Sequence, residues 1–221
     1  GPIGKAGMYE THYHRPKSLA EAAEIFSGAA DARYISGGQT LLPTMKQRLA
    51  APSDLIDLSK LAELRGVTVA GDTVTIGAAT THAEVAASAD LKKAIPGLAT
   101  LAGTIGDPAV RHRGTIGGSL ANNDPAADYP AAVLALDATI HTNRRAIAAK
   151  DFSTGLFSTV LEDGEIVTKV TFPVPAKSAY DKFRNPASRY AMTGVFVAVM
   201  KDGSVRFRVT ASGSRGVFRA T

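Results

Sequence analysis

Two glycine-containing segments carry the residues best suited to binding an anionic ligand. The first, residues 36–40, reads SGGQT, and the second, residues 115–119, reads TIGGS. Paired glycines let a backbone approach a ligand closely and turn consecutive N–H groups toward an anion, while neighbouring hydroxyls add further donors. Two such segments together could hold a diphosphate from both sides. A single glycine pair, however, is more often only a turn.

The spacing in these segments differs from that of two common nucleotide-binding motifs. A P-loop needs Gly-Lys-Ser/Thr after four spacer residues, and a Rossmann site needs G-x-G-x-x-G; neither pattern is present. Polar side chains follow the second segment and could bond the hydroxyls of a ribose or ribityl chain. The same residue types also cap helices and form turns, so both interpretations stay open. They are Asn122, Asn123, Asp124 and Asp128.

Other polar groups have simpler interpretations. His12 and His14 would lie on one side of a strand, but no carboxylate partner is evident and a surface pair is favoured over a metal site. Arg111, His112 and Arg113 adjoin the second glycine segment, where they could support a diphosphate or belong to a solvated loop. A hydrolase lacks support, because the chain has neither G-x-S-x-G nor Cys.

Composition narrows the protein class further. The 221 residues are 45% apolar and 20% charged, which is typical of a globular protein. The net charge of +5 is scattered, without a basic helix, so nucleic-acid binding is not favoured. The absence of Cys excludes disulfides and Cys-ligated metal centres within this chain. No apolar run approaches the roughly 20 residues of a membrane span, and no signal segment is evident, so we expect a cytoplasmic protein.

The first third of the chain predicts helices mixed with parallel and antiparallel strands. A capping box at Ser18 predicts a helix to about Phe26. A strand before Gly37 and a helix from Leu41 to Leu49 would make the glycine pair a strand-to-helix turn. Predicted strands cover residues 32–36, 55–58, 67–69 and 74–76, the last two joined as a hairpin through Gly71.

The remainder predicts shorter helices and then β-structure. A second capping box at Thr81 begins a helix, and helical composition over residues 91–101 is interrupted at Pro96. A hinge is predicted at residues 173–175, before a separate C-terminal element. A helix is predicted at residues 131–136. Strands are predicted at residues 139–142, 146–149, 166–172, 194–200 and 205–210, and the last two of these form a hairpin.

Four stretches resemble one protein family. They are ISGGQTLLPTMKQRLA, IGDPAVRHRGTIGGSLANNDPAADYPAAVLALDA, LEDGEIVTKVTFP and YDKFRNPASRYAMTGVFVAV. They resemble the FAD-binding medium subunit of molybdenum hydroxylases, a family that includes carbon monoxide dehydrogenase, xanthine dehydrogenase-like enzymes, and aldehyde or nicotine dehydrogenases. The resemblance extends from Met8 to Thr221.

The resemblance implies an α+β fold with two FAD-binding subdomains of the vanillyl-alcohol-oxidase type, followed by the start of a small C-terminal domain. Independently of the resemblance, the Gly-Pro start and the small residues before Met8 indicate that residues 1–7 are a protease scar and linker. The subdomains would occupy residues 8–60 and 61–175, and residues 176–221 would begin the C-terminal domain. Members of the family usually continue beyond the position of Thr221, so this domain is expected to be truncated.

The resemblance also implies positions for the cofactor contacts. Asp128 would contact the sugar portion of the flavin nucleotide, while the Ile166 backbone and Lys182 would lie near the isoalloxazine or its edge; Lys182 could instead be a surface strand lysine. No side chain would be catalytic, and none would bind a metal. The pyrophosphate would be held by Ser36, Gly37, Gly38, Gln39 and Thr40, and by Thr115, Ile116, Gly117, Gly118 and Ser119.

The implied function is electron transfer. FAD would be non-covalent, because Gln39 stands where related covalent flavoproteins have His. The molybdenum cofactor would lie in a large partner subunit and [2Fe-2S] clusters in a small one, within a dimer of heterotrimers. Two alternatives remain: a non-redox module that binds a nucleotide diphosphate, and a self-sufficient flavin oxidase. The oxidase would need its own substrate domain, for which the residues after Pro175 are too few.

Overall fold

The computed structural model describes residues 10–37, 39–41, 51–123, 128–155, 158–184, 192–211 and 217–219. These residues form a mixed helix-and-sheet structure, as the sequence predicts. The predicted helix from Leu41 to Leu49 lies almost entirely outside the described residues.

In the N-terminal part, the described residues form a four-stranded sheet and one helix. Its elements are β1 (His12–His14), α1 (Leu19–Gly28), β2 (Ala32–Ser36), β3 (Gln39–Leu41) and β4 (Asp54–Asp57). The strand order is β1-β4-β2-β3, with β4 parallel to β1 and β2, and β3 antiparallel to β2. The Ser18 hydroxyl caps α1, but Glu21 accepts from the Lys17 N–H rather than from Ser18, so only half of the capping box forms.

The first glycine segment connects two strands. We predicted a strand-to-helix turn, and this is wrong, because the residues from Gln39 to Leu41 pair with β2 as a β-hairpin. Gly37 has φ +61°, a left-handed conformation that glycine adopts without steric cost.

The central part is a five-stranded antiparallel sheet with helices inserted between its strands. A 3-10 helix at Ala62–Leu64 precedes it. Its strand order is β5-β6-β11-β7-β8, and β9 pairs with β10 separately. The strands are β5 (Val67–Ala70), β6 (Thr73–Gly77), β7 (Thr139–Thr142), β8 (Ala146–Ala148), β9 (Ser153–Gly155), β10 (Ser158–Thr159) and β11 (Val167–Pro173).

Among the described residues of this part, seven helices accompany the sheet. The hairpin through Gly71, the complete capping box at Thr81 and the helix break before Pro96 are confirmed. The helices are α2 (His82–Ala87), α3 (Ala89–Ala94), α4 (Pro96–Gly103), α5 (Pro108–Arg113), α6 (Ile116–Asn122), α7 (Tyr129–Ala135) and α8 (Ala149–Phe152).

The C-terminal part is an antiparallel sheet. Its strands are β12 (Lys177–Arg184), β13 (Met192–Val199), β14 (Val205–Ala211) and β15 (Val217–Arg219), in that order. The predicted hairpin is β13–β14, whereas β12 was not predicted.

This C-terminal sheet packs onto the central part. Tyr180 and Phe196 join the same buried cluster as Leu98 and Leu101 of α4. A Cβ at Gly97 would lie 2.8 Å from the backbone nitrogen of Ala179, so α4 lies directly against β12. The sheet therefore shares its core with the preceding residues instead of building one of its own.

The predicted hinge lies between these two parts. β11 ends at Pro173, and Pro175 is buried. The Val174 N–H donates to the Asp72 carbonyl at 2.8 Å. The connection is therefore anchored to the β5–β6 hairpin.

A second buried cluster joins the N-terminal sheet to the central part. Ile56 and Leu58, at the end of β4, pack with Tyr34 of β2. Ala79 and Ile166, which lie beyond residue 60, complete this cluster. Ile166 is thus fixed between the two parts.

An ion pair between buried Glu165 and partly exposed Arg145 holds the loop that leads to Ile166. The Glu165 carboxylate accepts two bonds of 2.9 Å from Arg145, one of 2.7 Å from the Thr142 hydroxyl and one of 2.8 Å from the Glu162 N–H. Burial alone would raise the pKa of Glu165, but these bonds lower it to about 2.

Replacing either partner should destabilise the fold, but unequally. Arg145→Met leaves a buried carboxylate without its cation, which we expect to cost about 3 kcal/mol. Glu165→Gln leaves a guanidinium that is 39% exposed and can be hydrated, so we expect a loss of about 1.5 kcal/mol. Urea unfolding at pH 7 measures both, and an equal or reversed order would contradict the prediction.

The contribution of Glu165 should also depend on pH. Its folded-state pKa lies below the ordinary value of 4.5, so its stabilisation is present above about pH 4.5 and is lost as the pH falls toward 2. The difference in unfolding free energy between the wild type and Glu165→Gln should therefore narrow over this range. Unfolding curves at several acidic pH values test this, and a constant difference would count against it.

Candidate functional site

The two glycine segments meet in the structure. A Cβ at Gly37 would overlap the carbonyl oxygen of Arg113 and lie 3.2 Å from the Gly114 Cα. Next to this contact, the buried hydroxyls of Ser36 and Thr115 lie 3.1 Å apart and share a hydrogen bond. The sequence expectation that the segments lie side by side is confirmed.

The second segment is not a turn with exposed N–H groups. Gly117 and Gly118 lie in the first turn of α6, where the Gly117 N–H donates to the Ala78 carbonyl at 2.9 Å and the Gly118 N–H to the Thr115 hydroxyl at 3.1 Å. The predicted nest of free donors is therefore wrong. A Cβ at Gly117 would lie 2.6 Å from the Ala78 Cβ, so this glycine permits close packing of α6 against the end of β6.

The other members of the second segment occupy different environments. Ile116 is fully buried in the main core, and its N–H donates to the Thr80 carbonyl at 3.2 Å. Ser119 is half-buried, and its N–H donates to the Thr115 carbonyl at 3.0 Å. Thr115, at the start of α6, thus adjoins the first glycine segment through its side chain.

A small cleft adjoins the hydroxyl pair. About 220 Å³ of free space, part of it open solvent, lies between its lining residues, so the cleft is too small to hold a nucleotide. Two hydroxyls sharing one bond retain one proton for a further acceptor, and a phosphate oxygen is a suitable one. The cleft is lined by Ser36, Leu58, Leu64, Ala78, Ala79, Gly117, Gly118 and Val167.

A buried histidine supports the second segment from behind. The backbone N–H of His82 donates to the Gly114 carbonyl at 3.0 Å. A Cβ at Gly114 would lie 2.7 Å from the Nε2 of the His82 ring, so the ring packs directly against this glycine. Burial lowers the pKa of His82 to about 4, so the ring is neutral near pH 7. The ring also packs against Tyr129, whose hydroxyl lies 3.4 Å from its Nδ1. Sequence reasoning missed His82, because a capping box gives no sign of burial.

Two predicted contacts, Asp128 and Lys182, lie together. Asp128 is 5% exposed, and its Oδ2 lies 3.1 Å from the Lys182 Nζ. Its Oδ1 accepts a hydrogen bond of 2.5 Å from the Tyr180 hydroxyl, a partner that the sequence did not indicate. Lys182 Nζ also lies 3.4 Å from the Thr104 carbonyl, near the start of the segment that leads to α5. Lys182 is therefore an ion-paired, half-buried residue rather than a free surface lysine.

Both asparagines at the end of α6 have partners within the chain. Asn123 is the C-cap residue with φ +43°, and its Nδ2 lies 2.7–2.9 Å from three acceptors of residues 153–158. It thus has a capping and connecting role. Asn122 is half-buried and also has a partner, while Asp124 lies outside the described residues.

The backbone of Ile166, another predicted contact, is hydrogen-bonded within the chain. The Ile166 N–H donates to the Asn143 Oδ1 at 2.9 Å, and the Ile166 carbonyl accepts from the Asn143 N–H at 2.9 Å, so this N–H is already used. Gln39 and Thr40 lie in β3, and their side chains are outside the description, as is Gly38.

One of the two strand histidines, His14, has a carboxylate partner that the sequence did not reveal. His14 Nε2 lies 2.6 Å from Asp54 Oδ1 on the neighbouring strand β4. Among the described residues no group of three or more potential metal ligands is present. No helix in the same ranges has the length and apolar character needed to cross a membrane.

Comparison with known proteins gives consistent matches. A family model described as the FAD binding domain in molybdopterin dehydrogenase matches residues 8–175. The carbon monoxide dehydrogenase medium chain of Hydrogenophaga pseudoflava is 38% identical over 200 residues, covering 87% of this chain and 70% of that protein.

Solved structures agree. A carbon monoxide dehydrogenase from Hydrogenophaga pseudoflava that lacks the Mo-pyranopterin moiety matches with a TM-score of 0.80 and 35% identity, covering 95% of this chain and 77% of that one. Quinoline 2-oxidoreductase from Pseudomonas putida 86 matches with a TM-score of 0.78 and 30% identity, covering 95% and 76%.

Gly37→Ala should damage the site far more than a matched substitution at Gly71. Both glycines have φ near +60°, but no atom lies within 4 Å of a Cβ at Gly71. Gly71→Ala should therefore cost only the left-handed strain of about 1 kcal/mol. Gly37→Ala adds overlap with the Arg113 carbonyl, so we expect a loss above about 3 kcal/mol and loss of bound flavin. Thermal unfolding and flavin absorbance measure this, and equal effects would contradict it.

Proposed function

This chain belongs to the family of FAD-binding domains of molybdopterin dehydrogenases, and we propose that it transfers electrons from iron–sulfur clusters of a small partner subunit to an external acceptor. It is a flavoprotein subunit of an oxidoreductase, and its cofactor is FAD. Hydroxylation of the organic substrate takes place, in this proposal, at a molybdenum cofactor in a large partner subunit.

The meeting of the two glycine segments is the observation that carries the proposal. FAD contains a diphosphate between its two nucleotide halves, and such a group needs donors from two sides. Ser36 and Thr115 supply hydroxyls at one point, from segments 79 residues apart. The contact of Gly37 with the Arg113 carbonyl keeps these hydroxyls together.

The residues of this chain hold and orient the cofactor in this proposal. Bound FAD supplies the capacity to accept and release electrons. Ser36 and Thr115 contact the pyrophosphate, Asp128 contacts the sugar portion, and Lys182 lies near the flavin edge. The chain has no Cys for an iron–sulfur cluster, so those clusters belong to the partner.

The proposed assembly has three kinds of chain. The structural relatives carry the names of carbon monoxide dehydrogenase and quinoline 2-oxidoreductase, which differ in substrate while sharing this fold. This difference supports placing substrate specificity in another chain. We infer a heterotrimer that dimerises in the cytoplasm. A non-redox diphosphate-binding module and a self-sufficient flavin oxidase are the alternatives that experiment has to exclude.

The cofactor should be released by acid as intact FAD. Gln39 cannot attack the flavin methyl group as an imidazole can, and the chain has no Cys. After acid precipitation, chromatography of the supernatant should give FAD. FMN alone would contradict a site for a diphosphate, and yellow colour retained by the pellet would contradict non-covalent binding.

Turnover should require the partner subunits. The isolated chain should contain flavin but neither molybdenum nor iron, and it should not oxidise an aldehyde, a purine or an N-heterocycle with a dye acceptor. Activity should appear when the large and small subunits are added. Steady turnover by this chain alone, with metals shown absent by elemental analysis, would favour the self-sufficient oxidase. A protein that binds ADP but no flavin would favour the non-redox module.

A further inference from the structure

The segment beyond the family match supplies two partners to one buried carboxylate. Asp128 immediately precedes α7, within the matched residues 8–175. The Tyr180 hydroxyl donates to its Oδ1 at 2.5 Å, and the Lys182 Nζ lies 3.1 Å from its Oδ2. Both partners belong to β12, which starts after the match ends.

The neighbouring strands leave space for the Tyr180 hydroxyl. A Cβ at Gly194 of β13 would overlap the Tyr180 oxygen and lie 2.7 Å from the Thr210 Oγ1 of β14. Gly194 directly opposes Lys182 in the β12–β13 pairing. The missing side chain at this position therefore lets the phenol reach Asp128 from beneath the sheet.

The phenol is held as a donor. Burial and then the negative charge of Asp128 raise the pKa of Tyr180 above its ordinary value of 10. The hydroxyl therefore keeps its proton over the pH range of ordinary assays. A hydrogen bond to a charged acceptor is stronger than one between neutral groups, so this contact restricts the rotation of the carboxylate.

We propose that Tyr180 is a positioning residue for FAD, which holds the Asp128 carboxylate in one orientation for the hydroxyls of the flavin's sugar chain. A carboxylate has about four lone-pair sites, and Tyr180 and Lys182 use two of them. Among the residues that the structure describes, no further side chain bonds this carboxylate, which leaves sites for ligand hydroxyls. The inference rests on the proposed function, in which Asp128 contacts the sugar portion of the cofactor.

A purely structural role makes a different prediction. If the Tyr180–Asp128 bond only anchors the C-terminal sheet to α7, its loss should lower stability and weaken all ligands alike, or none. If the bond orients Asp128, its loss should weaken only ligands that reach Asp128. ADP carries the adenosine and the diphosphate of FAD but no ribityl chain, so it separates the two roles.

Tyr180→Phe is the suitable variant. It removes only the hydroxyl and keeps the ring, whose centroid lies 6.4 Å from that of Phe196. Apoprotein is titrated with FAD by flavin fluorescence and with ADP by calorimetry. We expect the Kd for FAD to rise about tenfold, the effect of losing one hydrogen bond to a charged group, and the Kd for ADP to change less than about twofold.

Tyr13→Phe is the matched control. The Tyr13 hydroxyl also donates to an aspartate, Asp57, at 2.6 Å, but from β1 at the sheet edge opposite β3. This variant should bind FAD as the wild type does. Asp128→Asn should weaken FAD binding, and adding Tyr180→Phe to it should weaken binding no further, because the carboxylate that the phenol orients is already gone.

The outcomes distinguish failure of the positioning role of Tyr180 from failure of the proposed FAD-binding function. An unchanged FAD affinity in Tyr180→Phe, equal weakening of FAD and ADP, additive effects with Asp128→Asn, or loss of the folded state by circular dichroism would overturn the positioning role. Wild-type apoprotein that binds no FAD would instead contradict the proposed function itself.

Discussion

The contact between Gly37 and the backbone at Arg113 is the constraint on which the site depends. It brings a β-hairpin of the N-terminal sheet against the junction of α5 and α6, with no side chain between them. The hydroxyls of Ser36 and Thr115 meet only because these backbones approach so closely. The missing side chain at Gly117 likewise lets α6 pack closely against the end of β6. The absence of side chains thus sets the dimensions of the site.

Sequence reasoning recovered the elements whose signals are local. The hairpin through Gly71, the capping box at Thr81 and the break at Pro96 depend on neighbouring residues, and each is present. The strand β12 was missed because its inward-facing side chains include Tyr180 and Lys182, which are polar and do not give the apolar alternation of a buried strand. These side chains face inward to satisfy Asp128, a requirement that no local pattern displays.

The glycine motifs also show which features local sequence patterns can and cannot predict. Their residues could be identified from the sequence and the family resemblance, and the structure brings the two segments together. Their backbone conformations could not be predicted, because a glycine pair suits a hairpin, a nest or a helix that packs closely on a neighbour. In α6 the Gly117 N–H donates to the Ala78 carbonyl, so this glycine pair packs on a neighbour instead of forming a nest of free donors. Ala78 follows a strand nearly 40 residues earlier in the chain, so no local pattern indicates this contact.

The bond between Asp128 and Tyr180 also has a consequence for biosynthesis. The two residues are 52 positions apart, so Asp128 leaves the ribosome well before its partner. Until β12 has emerged and paired with β13, this carboxylate has neither its phenol nor its lysine. In the proposed site, the surface around Asp128 is therefore complete only when the C-terminal sheet has formed. A nascent chain stalled before Tyr180 would lack both partners of this carboxylate, so the proposed role of Asp128 places cofactor binding late in synthesis.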